Sequence, residues 1–332
     1  MRGQEVMNKP KLDLIFSKTN PRDKYARAAI QLKVHDLLLN KYDINVIKPR
    51  DIIKAPINNG ADSIDSVQVM TIVNPLNKKA IVFNVGPKCS GPILSSNKGW
   101  TDFNVVQVIG GASVSKDWYE SLNSERKNFF DCSRSPICFP LDQTTHEEFI
   151  LKFNPDKSFK KTRQAFFLGN TQNLIGRIKI SEILNKHPLF KIVDRKGCGR
   201  KFEDYIKEMS QYKITLSLNG FAEACYRDWE SMGIGVPIVR SEFYSQYDSK
   251  IIPDFHYISG SEHTINGETV YKSSFKDVAD KLISTVESHI DNEDFLNEVS
   301  ENGKKYFIEN LTCDAIIRKF MKLVKLELLF NE

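Results

Sequence analysis

The chain has 332 residues, of which 41% are hydrophobic and 27% charged, and carries a net charge of +5 at pH 7. These proportions belong to a packed globular protein and exclude collagen-like and intrinsically disordered classes. No apolar run approaches the roughly 20 residues that span a bilayer, and the apolar stretch in MRGQEVMNKPKLDLIF is too short for a secretory signal, so a cytoplasmic location is expected.

The positive charge sits in the first half. Residues 1–155 hold 21 Lys and Arg against 16 Asp and Glu, and residues 156–332 hold 26 against 26. Such a mild excess fits a solvated face and leaves peripheral membrane contact open. No basic stripe interleaved with aromatics points to nucleic acid. The cysteines (Cys89, Cys132, Cys138, Cys198, Cys225 and Cys313) form no CxxC pair, which predicts reduced thiols rather than a zinc site or a disulfide framework.

In chain order, Leu12–Phe16 reads as a strand. Asp23–Lys41 follows as an amphipathic helix with Ala26, Ile30, Val34, Leu37 and Leu38 on one stripe. Ile44–Ile47 is a second strand. Ser66–Val73 and Ala80–Val85 flank an NPLNKK turn and pair as a hairpin. Val105–Ile109 is a buried strand, and Ser115–Phe129 a helix with a serine cap. Residues 142–164 are polar and contain Pro155, which predicts a linker near 150–162.

The second half alternates strand and helix more cleanly. Strands are expected at Ala165–Leu168, Leu189–Val193, Tyr212–Leu218, Val236–Val239 and Phe255–Ile258. Helices are expected at Leu174–Lys186, Phe202–Ser210 and Tyr226–Met232, then at Phe275–His289, Asp294–Glu309 and Cys313–Leu329 in a helical tail. This rhythm predicts an α/β fold with helices packed on open sheets.

The stretch with most chemical content is Tyr212–Ser241, a buried strand, a turn at Asn219-Gly220, a short helix with Arg227 and Glu230, then Gly235 and Pro237 before another strand. Ligands of open α/β sheets bind beyond the carboxyl ends of the strands. Glycine lets a ligand approach the backbone there, and a helix N-terminus stabilises phosphate. A guanidinium fork matches phosphate oxygens. A carboxylate three residues on shares the helix face and can accept hydrogen bonds from vicinal hydroxyls such as those of a ribose. An ordinary Arg–Glu surface pair is the simpler alternative.

A second candidate is Gly169-Asn170, closing the phenylalanine-rich strand, with Arg177 in the helix that follows. Its backbone amides and guanidinium could meet the same diphosphate. In the first half, GPKCSG at 86–91 and Gly110-Gly111 follow buried strands and place Lys88 and Ser90 as acceptor contacts, although neither segment meets a nucleotide-loop motif and turn chemistry alone accounts for both. The histidines form no HxxxH or HExxH, and no Asp-x-Asp occurs, so no metal is expected.

At these residues the chain resembles a glycosyltransferase of the two-domain, metal-independent GT-B type, nearest to the exostosin-like and CAP10-like branches. The resemblance rests on Gly220, Arg227, Glu230, Gly235, Pro237 and Ile238-Val239, on Gly169 with Arg177 downstream, and on Asn302 to Phe320, and covers about 163–325. It implies two Rossmann-like domains facing a cleft. Residues 1–155 would bind the acceptor and 156–312 the nucleotide sugar, and the helix of 313–332 would cross back onto the first domain.

It further implies that Arg227 and Arg177 bind the donor diphosphate and Glu230 the ribose, with Gly169, Asn170, Asn219 and Gly220 lining the donor site. Glu223 and Glu230 are seven apart where many retaining members have two glutamates eight apart, so retention is not supported. Asp102, in GWTD ahead of a buried strand, is the candidate base of an inverting enzyme. The implied activity moves a sugar from a nucleotide-diphosphate donor to a hydroxyl of a glycan or glycoconjugate, with no cofactor. A non-catalytic two-lobed sugar or nucleotide binder, a nucleotide-sugar epimerase on the same fold, and an inactive subunit of a glycan-assembly complex remain alternatives.

Overall fold

The computed structural model describes residues 11–16, 26–40, 42–47, 68–74, 79–85, 104–110, 134–137, 144–154, 161–171, 175–194, 200–218, 225–241, 249–261 and 274–324. They form a mixed α/β structure with two sheets. The first sheet holds β1 (Lys11–Phe16), β2 (Asp43–Ile47), β3 (Gln68–Asn74), β4 (Lys79–Val85), β5 (Asn104–Gly110) and β6 (Arg134–Ile137), in the order β2-β1-β3-β4-β5-β6. The expected hairpin is present, with β3 and β4 antiparallel and Asn74 opposite Lys79. β1 runs parallel to β2, and β4, β5 and β6 are parallel to one another.

Helix α1 (Ala26–Leu39) connects β1 to β2 and buries Val34 and Leu38. Leu37, expected on that stripe, is 44% exposed. Residues four apart stack on one face of a helix, whereas position 37 falls on the flank of the 34–38 line. The expected helix over 115–129 and the GPKCSG loop lie outside the described residues. β6 was not expected, since a four-residue strand containing Pro136 carries little signal.

The second sheet is wholly parallel. It contains β7 (Thr162–Gly169), β8 (Phe190–Asp194), β9 (Tyr212–Leu216), β10 (Ile238–Ser241) and β11 (Ile258–Ser261), in the order β11-β10-β9-β7-β8. β7 shows why its sequence is a continuous apolar run. Phe166 and Leu168 join one core with Trp229, Met232 and Phe307, while Ala165 and Phe167 join another with Ile180, Ile214 and Leu282. A strand covered on both faces has no polar side to offer. Phe255, expected in the last strand, is an exposed turn residue at 41%, and pairing begins at Ile258.

The connecting helices are α3 (Ile175–Leu184), α4 (Phe202–Met209) and α5 (Tyr226–Ile234). α5 ends on Gly235 at φ 71°, a left-handed position at which glycine avoids the Cβ clash. Ser300 donates to the Gly235 carbonyl at 2.7 Å and fixes that turn. The tail consists of α6 (Phe275–His289), α7 (Glu293–Asn310) and α8 (Cys313–Val324). α7 packs on α5, α6 on α3 and β11, and α8 on α1.

The stretch expected as a linker near 150–162 begins inside a helix and ends at a strand. Helix α2 (Thr144–Lys152) occupies its start and β7 begins at Thr162. Ile150 is buried among Trp229, Met232 and Phe307, Phe149 and Phe153 pack against the same core, and His146 stacks on Phe202, so the helix is held by a stripe at 146, 149, 150 and 153. It precedes the expected domain boundary at 155 yet packs with the second sheet.

Candidate functional site

In the five-stranded sheet the chain leaves β7 toward β8 on one side and then reaches β9, β10 and β11 on the other. The connections therefore diverge between β7 and β9, the position at which open α/β sheets form a ligand crevice beyond the carboxyl ends of the strands. Arg177 and Arg227 both meet this edge, from the first turns of α3 and α5.

Arg177 is 6% exposed. It donates from Nη1 to the Asn170 carbonyl at 3.1 Å and from Nη2 to the Leu218 carbonyl at 2.6 Å. One guanidinium thus ties the end of β7 to the segment leaving β9. Arg227 donates from Nε to the Leu168 carbonyl at 3.0 Å, and its Nη2 reaches the same oxygen. Its Nη1 is buried with no hydrogen-bond partner among the described residues. The Phe167 ring lies 4.2 Å from Arg227 Cζ and 5.8 Å from Arg177 Cζ, so one aromatic quadrupole stabilises two neighbouring cations.

Gly169 is a requirement of this arrangement. A Cβ there would strike Arg227 Nη2 and come within 2.8 Å of Phe167 Cζ. The Gly-Asn turn is further fixed by Asp194 at the end of β8, whose Oδ1 accepts the Thr171 N–H at 3.3 Å.

Glu230 sits one turn after Arg227 and accepts a hydrogen bond from the Tyr205 hydroxyl of α4 at 3.1 Å. Burial, and then the Glu230 carboxylate, push the Tyr205 phenol well above its ordinary value, with Arg227 partly opposing them. Tyr205 is therefore a neutral donor at physiological pH, and its hydrogen bond orients the Glu230 carboxyl.

A buried ion pair lies beneath this turn. Asp228 and Arg240 are both 0% exposed, and Arg240 Nη1 donates to Asp228 Oδ2. The same oxygen accepts the Cys225 N–H at 2.7 Å, closing a capping box at the start of α5. Arg240 Nε donates to the Ser241 carbonyl at 2.8 Å. Sequence reasoning missed this pair, because its members stand twelve residues apart on different elements and cysteine in place of serine or threonine disguises the cap.

Of the expected site residues, the structure gathers Gly169, Asn170, Arg177, Arg227 and Glu230 around the carboxyl edge of β7 and β9. Asn219, Gly220 and Asp102 lie outside the described residues. Among the described residues no group of three or more His, Cys, Asp or Glu is placed to hold a metal ion, and no helix is long and apolar enough to cross a membrane.

No family model and no curated protein matches the chain. Solved structures similar to it include a glycosyltransferase from Rickettsia africae ESF-5, at 12% identity and TM-score 0.44 over 95% of this chain and 84% of that one. An α1,3-fucosyltransferase aligns at 14% identity and TM-score 0.42, over 98% of this chain and 93% of that one. A variant of S. aureus TarM in complex with fondaparinux, α-GlcNAc-glycerol and UDP aligns at 16% identity and TM-score 0.34, over 80% and 63%. All three are glycosyltransferases, but likeness at these scores decides nothing about this chain's chemistry, and its functional reading rests on the residues above.

Proposed function

We propose that the protein is a GT-B type glycosyltransferase, in which the carboxyl edge of the five-stranded sheet binds a nucleotide-diphosphate sugar without a metal. The observation that carries this reading is the placement of two guanidinium groups, Arg177 and Arg227, at the crevice between β7 and β9, with the Glu230 carboxylate one turn further. The carbonyl contacts of Arg227 use its Nε and Nη2 edge, and its buried Nη1 has no partner among the described residues, an unmet need that a phosphate oxygen entering the crevice would satisfy. Preorganised cations beside a crevice stabilise a departing diphosphate strongly, because no reorganisation is needed as charge develops.

An acceptor hydroxyl attacks the anomeric carbon, the bond from that carbon to the phosphate oxygen breaks, and the nucleoside diphosphate leaves with the electron pair. Glu230 would accept hydrogen bonds from the ribose hydroxyls, and Asp102 would take the proton of the attacking hydroxyl. Residues 1–155 would supply the acceptor side, a glycan or glycoconjugate.

The test is the thermal midpoint of the pure protein with UDP, GDP, ADP, dTDP and CMP in EDTA. A ligand that binds the folded state raises the midpoint. One diphosphate is expected to shift the wild type and to lose its effect in Arg227→Ala. No shift by any of them, or an unchanged shift in Arg227→Ala, overturns the reading. Binding without transfer or hydrolysis of any sugar nucleotide favours the non-catalytic binder.

A further inference from the structure

Among the described residues, the Asp228–Arg240 ion pair is the only one in which both side chains are fully buried. Burying two charges carries a desolvation cost that an apolar pair would not, so such a pair is weak as a stabilising device and is best attested as a device for register. Its location gives it something to register. Asp228 follows Arg227 directly, precedes Glu230 by two residues, and holds the first turn of α5 through the Cys225 N–H. Arg240 is anchored at the carboxyl end of β10 by its bond to the Ser241 carbonyl. One carboxylate oxygen therefore joins the start of the helix to the end of a strand, and this junction sets the rotation of α5 about its axis.

We propose that the Asp228–Arg240 pair is a positioning device for Arg227 and Glu230, an assignment that rests on the donor-site reading above. Without the ion pair α5 keeps its apolar anchor in Trp229 and Met232 but loses the bond that ties its first turn to β10. The guanidinium of Arg227 then samples directions other than the crevice.

The test is a double-mutant cycle on affinity for whichever of UDP, GDP, ADP, dTDP and CMP shifts the wild type. Asp228→Asn combined with Arg240→Met removes both charges and keeps an acceptor for the Cys225 N–H. This variant is expected to unfold cooperatively, to lose about 10-fold or more in affinity, and to lose nothing further when Arg227→Ala is added, since residues acting as one unit are not additive. Should the double variant not fold, Arg240→Lys serves instead. It keeps the charge but lacks the fork that reaches both Asp228 and Ser241, and the same loss and non-additivity are expected. An unchanged affinity, or losses that simply add to that of Arg227→Ala, overturns the positioning role while leaving the donor site standing. A wild type that binds none of the five overturns the donor site and this role with it.

Discussion

Glycine 169 makes the smallest change with a readable outcome. Its missing Cβ is the space into which the Arg227 guanidinium and the Phe167 ring close at the end of β7. Gly169→Ala pushes Arg227 off the Leu168 carbonyl or displaces the ring, and overpacking of this kind costs about 1–3 kcal/mol. Urea denaturation is expected to show that loss, and nucleotide titration a weaker donor affinity in the same variant. Undiminished stability would mean that the hold of Arg227 on the strand end is dispensable. The residue types gathered at this edge were legible, because Arg227, Glu230 and Arg177 each stand in the first turns of a helix that follows a buried strand. Their partners were not. Leu168 O and Leu218 O are backbone atoms of other segments, and Tyr205 belongs to another helix, so only the pairing of the strands brings them into reach.

Short elements were readable where their burial is two-sided or their caps are explicit. The strands of the second sheet are runs of aromatic and aliphatic residues bounded by turns, and α6 begins at a serine cap whose Oγ accepts the Asp277 N–H at 3.2 Å while Asp277 returns a bond to the Ser274 N–H. Ser274→Ala removes half of that box, and a loss of about 1 kcal/mol is expected by chemical denaturation. A loss near zero would show that water caps the helix as well. Helix α2 was missed although His146, Phe149, Ile150 and Phe153 recur at helical spacing, because the polar residues between them and the nearby Pro155 read together as a linker. The turn through Phe255 misled for the opposite reason, since an apolar residue beside β11 reads as its first member although it faces solvent.

Across the whole molecule, α8 is joined to segments far away in sequence. Lys33 of α1 pairs with Asp314 at 2.7 Å, an exposed contact worth about 0–1 kcal/mol. The Cys313 N–H donates to the nearly buried Glu147 carboxylate of α2 at 2.9 Å. Burial raises the Glu147 carboxyl above its ordinary 4.5, with the Cys313 backbone bond acting against it. The folded state thus holds this proton more tightly than the unfolded state, and its contribution to stability falls as pH rises from about 4.5 through the raised folded value. Glu147→Gln keeps an acceptor for the Cys313 N–H and removes the titration. Its thermal midpoint relative to wild type is expected to rise over that window, and a difference independent of pH would show that the carboxyl is not perturbed.

The placement of α2 dictates where this protein can be cut. A fragment beginning at 156 would lack Ile150, opening a gap beside Trp229, Met232 and Phe307, and would also lack the Glu147 acceptor at the head of α8. A fragment beginning before Thr144 keeps both. The longer piece is expected to be recovered from expression as a cooperatively melting unit, and the shorter one to aggregate, although the two differ mainly by a helix that looks like tether. Equal recovery and equal melting of the two would show that the helix rests on the second sheet without supporting it.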